Sequence, residues 1–342
     1  MRRFTVNSLT GDFKSLGEAA EALKGGSEET LLMVTPGEYR ESVVFECSNL
    51  TIEGDSNDIV YICDGNYARM QDPDGKEWGT FRTAVFRVDG DNITLRNLTI
   101  ENNAGIGFKI GQAVALYSDG NGFRCENCTL IAHQDTLFTA PLPALNKHGR
   151  NEGFGPKQDL PRTPSTQYFK DCYIEGDIDF IFGGASVIFE NCTVFSHDMI
   201  AEYRLKEMID CTDNDWEAVH SSASRGYVCA PPTAEDLDYG YLFLKCRFTS
   251  TCPQGTVYLG RPWRPYGKAY FVDCVMCDHI NPELFNDWDD VKNRSTSSFV
   301  LSGCKWSDGR PIEEHAEKGF GIFIDEKSAL DYVNCFRKYI GI

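Results

Sequence analysis

One short pattern of apolar and polar positions returns along the chain at unequal intervals. Asn97-Leu98-Thr99-Ile100 is followed by Asn127-Cys128-Thr129-Leu130, Asp171-Cys172-Tyr173-Ile174 and Asn191-Cys192-Thr193-Val194. Lys245-Cys246-Arg247-Phe248 and Asp273-Cys274-Val275-Met276 continue it. Asn49-Leu50-Thr51-Ile52 is an earlier copy without cysteine, and Ser302-Gly303-Cys304-Lys305-Trp306 a late one. Each copy alternates as a half-buried strand does, with a small apolar residue in, the next residue out, and a larger apolar residue in. The Asn or Asp in front suits a corner, because both tolerate left-handed backbone angles. Phe169, Phe189 and Phe271 stand three residues before a cysteine and so belong to the preceding strand. The unit is therefore strand, corner, strand, and it must stack on neighbours to bury its inner face. The expectation is an all-β chain, one domain over residues 1–342 built as a parallel β-helix, with an antiparallel sandwich as the alternative.

Helical periodicity is confined to the two ends. Ser15-x-x-Glu18 reads as a capping box, and Leu16, Ala19, Ala20 and Leu23 give one apolar face before Gly25-Gly26 stops the helix. This predicts an N-terminal plug for the solenoid. Ser328-x-x-Asp331 opens a second candidate helix carrying Tyr332, Val333, Phe336 and Ile340, to lie along the outside or close the other end. Thr139 to Thr166 and Glu202 to Asp238 break the rhythm. Loops this long are functional, mobile or tolerated insertions.

Composition narrows the partners. A net charge of −18 argues against nucleic acid, and no apolar run approaches the roughly 18 residues of a membrane span. The first residues are basic but no apolar leader follows, so the cytoplasm is the expected compartment, or secretion if a leader has been removed. Fourteen cysteines could suggest disulfides, but a chain of this length does not need such staples. Cys125-x-x-Cys128 and Cys274-x-x-Cys277 invite a zinc reading. Positions three apart on a strand face opposite ways, however. Reduced, buried thiols are the preferred reading, which favours a reducing compartment.

Two carboxylates stand where a core strand should be apolar: Asp135 in His133-Gln134-Asp135-Thr136-Leu137, and Asp179 in Asp177-Ile178-Asp179-Phe180-Ile181-Phe182-Gly183. Burying a carboxylate costs several kcal/mol unless it is paired or protonated. The chain lacks a Gly-x-Ser-x-Gly elbow, a His-Glu-x-x-His pair and a Walker sequence. Its dense polar signals are Gln112 in Gln112-Ala113-Val114-Ala115-Leu116, Gln134 beside Asp135, and Arg261 in Leu259-Gly260-Arg261-Pro262-Trp263. Two carboxylates with split pKa values can act as general acid and nucleophile. An arginine would keep one of them ionised, and glutamine amides offer neutral donors to an oxyanion. Acyl transfer and glycoside hydrolysis both remain open on these grounds.

The chain resembles the pectin methylesterases, on five motifs in order. These are Gly37-Glu38-Tyr39-Arg40-Glu41, Gln112 to Leu116, Gln134 to Leu137, Asp179 to Gly183 and Leu259 to Trp263. The resemblance covers most of the chain. It implies a right-handed parallel β-helix and hydrolysis of galacturonate C6 methyl esters, in methylated homogalacturonan or its oligogalacturonides. Asp179 would be the nucleophile, Asp135 the general acid and then base, Gln112 and Gln134 the oxyanion donors, and Arg261 the group that orients Asp179. Thr80, Phe182 and Trp263 would contact the sugar. Neither metal nor cofactor is expected, and a monomer is. Tyr39 and Glu41 are expected to be structural, and Asp177 a solvated corner residue. Leu284 and Phe285, in Glu283-Leu284-Phe285-Asn286-Asp287-Trp288, depart from the family's Gly-Trp, which alters one aromatic of the substrate wall. The Thr139 to Thr166 segment, longer than is usual, is expected to shape the cleft and favour short oligomers. The competing readings are an acyl hydrolase for another substrate on the same scaffold, and a polyuronate-binding solenoid without turnover.

Overall fold

The computed structural model describes residues 1–144, 161–207, 224–314 and 319–342. Its strands form three parallel sheets of eleven, seven and nine strands that wind as a right-handed β-helix. Register follows the repeat found in the sequence. Thr129 pairs with Tyr173, Tyr173 with Thr193, Thr193 with Arg247, Arg247 with Val275 and Val275 with Lys305. The residue before each of these is a cysteine, so Cys128, Cys172, Cys192, Cys246, Cys274 and Cys304 fall in one buried column.

The corner ahead of the column is left-handed, as the Asn and Asp residues anticipate. φ is 56° at Asn97, 53° at Asn127, 54° at Asp171, 55° at Asn191, 55° at Lys245 and 54° at Asp273. Amides bind along it, for example Asn127 Nδ2 to Asn97 Oδ1 at 2.8 Å. Inside, Cys246, Cys274 and Cys304 donate their thiols at 3.3 Å to the carbonyls of Phe189, Phe243 and Phe271 one coil earlier. Those phenylalanines form a second column, stacking at 5.0 Å from Phe169 to Phe189, 4.7 Å to Phe243 and 4.9 Å to Phe271. Each such buried ring contributes about 1.5–3 kcal/mol. The small thiol fits the tight corner and the ring fills the span beyond it.

This geometry corrects the argument from strand periodicity about Cys125-x-x-Cys128. The left-handed turn at Asn127 resets the alternation, so both side chains enter the apolar core, at 0% and 1% exposure. They pack there among hydrophobic residues, and thirteen described cysteines carry free thiols.

The N-terminal helix spans Leu16–Leu23, and its four apolar residues enter the core at the end of the solenoid. Ser15 Oγ accepts from Glu18 N–H, while the Glu18 carboxylate reaches back to the N–H of Lys14. Glu41 accepts from the N–H groups of Leu16 and Gly17, both at 2.9 Å. Tyr39 Oη donates to the Thr35 carbonyl at 2.9 Å. The Gly-x-Tyr-x-Glu motif therefore fastens the plug, in keeping with its expected structural role. The C-terminal helix runs Glu326–Ile340, capped by Asp325, three residues before the predicted start. Ala329, Val333 and Phe336 pack on Tyr168, Ile188, Leu242, Leu244 and Val272. Of the two placements expected, it takes the flank. Most of the Thr139 to Thr166 segment and the middle of Glu202 to Asp238 lie outside the described residues, so the cleft-shaping expectation is not addressed by them.

Candidate active site

Five neighbouring strands of the seven-stranded sheet carry the chemistry, in the order Leu116–Ser118, Leu137–Thr139, Ile178–Phe182, Gly226–Ala230 and Val257–Gly260. Backbone bonds hold their leading corners in line. Ala113 N–H donates to Gln134 O at 3.1 Å, Asp135 N–H to Ile178 O at 3.1 Å, and Tyr227 N–H to Asp177 O at 3.0 Å. Gln112, Gln134, Asp135 and Asp179, distant in sequence, are thus brought onto successive coils.

Both aspartates have left-handed backbones, φ 69° at Asp135 and φ 49° at Asp179. Aspartate tolerates this conformation, as the Asn and Asp residues of the other corners do. The register shifts between Ile178 and Ile181. Phe180 and Ile181 consequently enter the solenoid core, while Phe182 joins a separate cluster with Phe138, Tyr117 and Trp263. Each carboxylate residue is 8% exposed.

Arg261 follows the strand Val257–Gly260 and crosses the intervening strand Gly226–Ala230 to reach Asp179. Its Nε and Nη2 donate to Asp179 Oδ1 and Oδ2 at 2.8 and 2.7 Å. This is the planar two-pronged fit of guanidinium to carboxylate. The guanidinium carbon lies 3.6 Å from the Tyr227 ring centre and 3.7 Å from that of Trp288, so the arginine is clamped between two aromatic faces.

The two carboxylates differ in charge balance. Burial pushes Asp135 well above the ordinary carboxylate range, and the neighbouring charges of Asp179 and Asp177 push it further. Asp179 is also raised by burial, but Arg261 opposes this through charge and hydrogen bonds. Asp179 therefore ionises first, and its charge helps keep the proton on Asp135.

Gln112 and Gln134 are half-buried. Gln134 leans on Gly107, where a Cβ would come within 2.7 Å of Gln134 Cβ. Phe182 is 3% exposed, stacked on Phe138 at 4.8 Å and edge-on to Trp263 at 6.0 Å. Trp263 is half-buried. Thr80 opens a one-turn helix, Thr80–Arg82. Its neighbour Phe81 packs on Phe138 at 4.9 Å, and Val114 N–H donates to Thr83 Oγ1. The substrate-wall candidates are thus joined through one aromatic cluster. Leu284 and Phe285, where the family motif is altered, lie in the solenoid core.

Asp177 overturns its expected place at a solvated corner. It is fully buried, accepts from Ile178 N–H at 2.7 Å, and lies 2.9 Å from His133 Nδ1. The turn into the next strand closes over it, with Tyr227 N–H bound to its carbonyl. Tyr227 had no signal in the sequence, and Trp288 was visible only as part of an altered motif. His133, His197 and Glu202 also come together here, one potential ligand atom of each lying within 4.8 Å of the other two.

Fold and site define a parallel β-helix enzyme with an arginine-held carboxylate pair. The Pectinesterase family model matches residues 5–143 and 156–216, and the chain belongs to the pectinesterase family. It is 28% identical over 303 residues to Pectinesterase 31 of Arabidopsis thaliana, covering 86% of this chain and 80% of that protein. It is 28% identical over 299 residues to Probable pectinesterase 8 of Arabidopsis thaliana, covering 86% of this chain and 64% of that protein. Among solved structures, a pectin methylesterase in complex with a hexasaccharide superposes with a TM-score of 0.72 at 23% identity. That match covers 97% of this chain and 95% of the other, and shows the same fold.

Proposed function

We propose that the protein hydrolyses C6 methyl esters of galacturonate in pectin or methylated oligogalacturonides, releasing methanol. The observation that carries this reading is the unequal carboxylate pair: Asp179 gripped by Arg261, with the more strongly raised Asp135 beside it. The ionised Asp179 attacks the ester carbonyl carbon, and the carbonyl electron pair moves to oxygen, where the amides of Gln112 and Gln134 donate. As the intermediate collapses, the C–O bond to methoxide breaks. Asp135 supplies the proton that makes it methanol, leaving an acyl anhydride on Asp179. Asp135, now a carboxylate, takes a proton from water as the water attacks the anhydride. The product forms as galacturonic acid and gives its proton to solvent as galacturonate, Asp179 is again a carboxylate, and Asp135 is again protonated. Arg261 stays charged throughout and fixes the direction of attack.

The aromatic cluster of Phe182 and Trp263, with Thr80 at its edge, fits a sugar-contact role. The hexasaccharide bound to the structural neighbour supports an oligosaccharide as substrate. Thirteen free thiols support work in a reducing compartment, where short oligomers would be the available substrate.

The deciding experiment is methanol release from methylated pectin and from methylated oligogalacturonides. Wild type is expected to release methanol, and Asp179→Ala to bind the substrate without turnover. Release by Asp179→Ala at the wild-type rate, or none by wild type, would overturn the reading.

A further inference from the structure

A second titratable cluster lies one step behind the carboxylate pair. His133 Nδ1 is 2.9 Å from Asp177 Oδ2, and His197 Nδ1 is 3.3 Å from Glu175 Oε1. The other ring nitrogens turn to one oxygen: His197 Nε2 is 2.7 Å and His133 Nε2 3.5 Å from Glu202 Oε2. The rings meet edge to face, 5.2 Å between centres.

With neutral imidazoles, hydrogen bonding alone explains this arrangement poorly. A neutral His133 that donates through Nδ1 to Asp177 carries a lone pair on Nε2. That lone pair then faces the Glu202 carboxylate at a distance too long for a good hydrogen bond. Three carboxylates converge on two imidazoles. Asp177 is fully buried, and removing it from water requires a compensating positive partner.

A metal ion removes both difficulties. Zinc takes imidazole nitrogen and carboxylate oxygen at about 2.0–2.2 Å, often as two His and one Glu with water in the fourth place. Tetrahedral ligands at those lengths stand roughly 3.4 Å apart. The 3.5 Å separation already meets this, and the 2.7 Å separation needs a small opening. Each His offers Nε2 inward and has Nδ1 held by a carboxylate, which is how a ligating imidazole is oriented and made more basic. Two imidazoles and one carboxylate suit transition metals over magnesium or calcium.

We propose that His133, His197 and Glu202 bind a divalent transition metal of the zinc class, with Asp177 and Glu175 orienting the two imidazoles. His133 and Asp177 each lie two residues before an active-site aspartate, and Glu202 lies on the helix Met199–Glu207. The ion therefore ties three segments together directly behind Asp135 and Asp179 and acts as a positioning device. It goes beyond the esterase reading and is tested without it.

The full-length protein, treated with chelator and dialysed, is titrated with Co²⁺ alone. Visible d–d absorption and calorimetry should report one equivalent bound, displaced by Zn²⁺ and insensitive to millimolar Mg²⁺. His197→Gln and Glu202→Gln should each weaken Co²⁺ binding at least tenfold. Asp177→Asn should weaken it by about 10–100-fold, as loss of an orienting partner does. Asp179→Asn, which alters the neighbouring carboxylate pair, should leave it unchanged. Circular dichroism confirms that each variant is folded. For any variant that is not, the Zn²⁺-induced rise in melting temperature of wild type replaces it as the readout, a rise supporting the site and none opposing it. No saturable binding to wild type, equal affinity in His197→Gln and Glu202→Gln, or loss with Asp179→Asn would overturn the proposal.

Discussion

Replacing Arg261 by Gln removes both prongs of its contact with Asp179. The two bonds are 2.8 and 2.7 Å long, and the side chains are 16% and 11% exposed, so solvent screens them little. Taking one partner from such a pair destabilises by about 3–5 kcal/mol when the remaining charge stays buried. The carboxylate can escape by binding a proton, which gives the loss a pH dependence. Without Arg261, burial is unopposed and raises Asp179 further. A group raised in the folded state supports the fold fully at acid pH. That support is lost as pH climbs from the ordinary carboxylate value through the folded value. The stability difference between wild type and Arg261→Gln should therefore be small near pH 4 and approach about 3–5 kcal/mol near pH 8, read from urea denaturation. Adding Asp179→Asn removes the ionisable group, so the double variant should recover much of this loss at pH 8. In methanol release, the acid limb of kcat/KM for Arg261→Gln should move to higher pH, since it reports the free enzyme's essential base. Arg261→Lys keeps the charge but not the fork, so it should lose rate with a smaller movement of the limb. An acid limb that stays in place in Arg261→Gln, or a stability loss equal at pH 4 and pH 8, would refute the assignment of Asp179 as the arginine-held nucleophile.

Asp135→Asn keeps the volume and removes the proton, so methanol release should fall by about 10²-fold or more with substrate binding retained. Because Asp135 is raised in the folded state, its ionisation weakens the fold as pH rises. The variant should therefore gain stability relative to wild type between pH 4 and 8, and a relative loss would count against a buried protonated acid. Trp263→Ala should raise KM for methylated oligogalacturonides about tenfold, or about 1.4 kcal/mol, with kcat changed little; an unchanged KM would make Trp263 a packing residue. Glu41→Ala strips two N–H groups of their acceptor at the N-terminal helix. It should cost about 1–2 kcal/mol of stability with kcat unchanged, whereas a large fall in kcat would oppose the structural role. With Cys211 replaced by serine, a thiol reagent should promptly label Cys335 in native protein and Cys277 more slowly, the other thiols reacting only after unfolding.

Residues that define the coil were legible because their reasons are local. Asp171 or Asn191 at a corner, the cysteine after it and a phenylalanine three residues before that cysteine form a sentence that can be read within four positions. The physical cause, a left-handed turn feeding a tight inner column, acts over the same distance. Cys125 shows where that reading fails: strand alternation holds only while the strand lasts, and the turn at Asn127 resets it. Asp325 shows a similar limit, since either it or Ser328 could begin the C-terminal helix, and Asp325 takes the cap by accepting from both the N–H and the hydroxyl of Ser328.

The active site divides along the same line. Asp135 and Asp179 stand out locally, because a carboxylate in an apolar stretch is costly wherever the chain goes. Their inequality is not local: the arginine that separates them lies 82 residues beyond Asp179, and the ring of Tyr227 that clamps it carries no motif. Asp177 is the sharper case. It has the sequence context of a corner residue, yet the stacking of three coils seals it and brings His133 to its carboxylate. A solenoid places residues of unrelated sequence positions at the same height on adjacent coils. Chemistry shared between coils is therefore written in the register, and a single pass along the chain recovers it only where one coil already holds an anomalous residue.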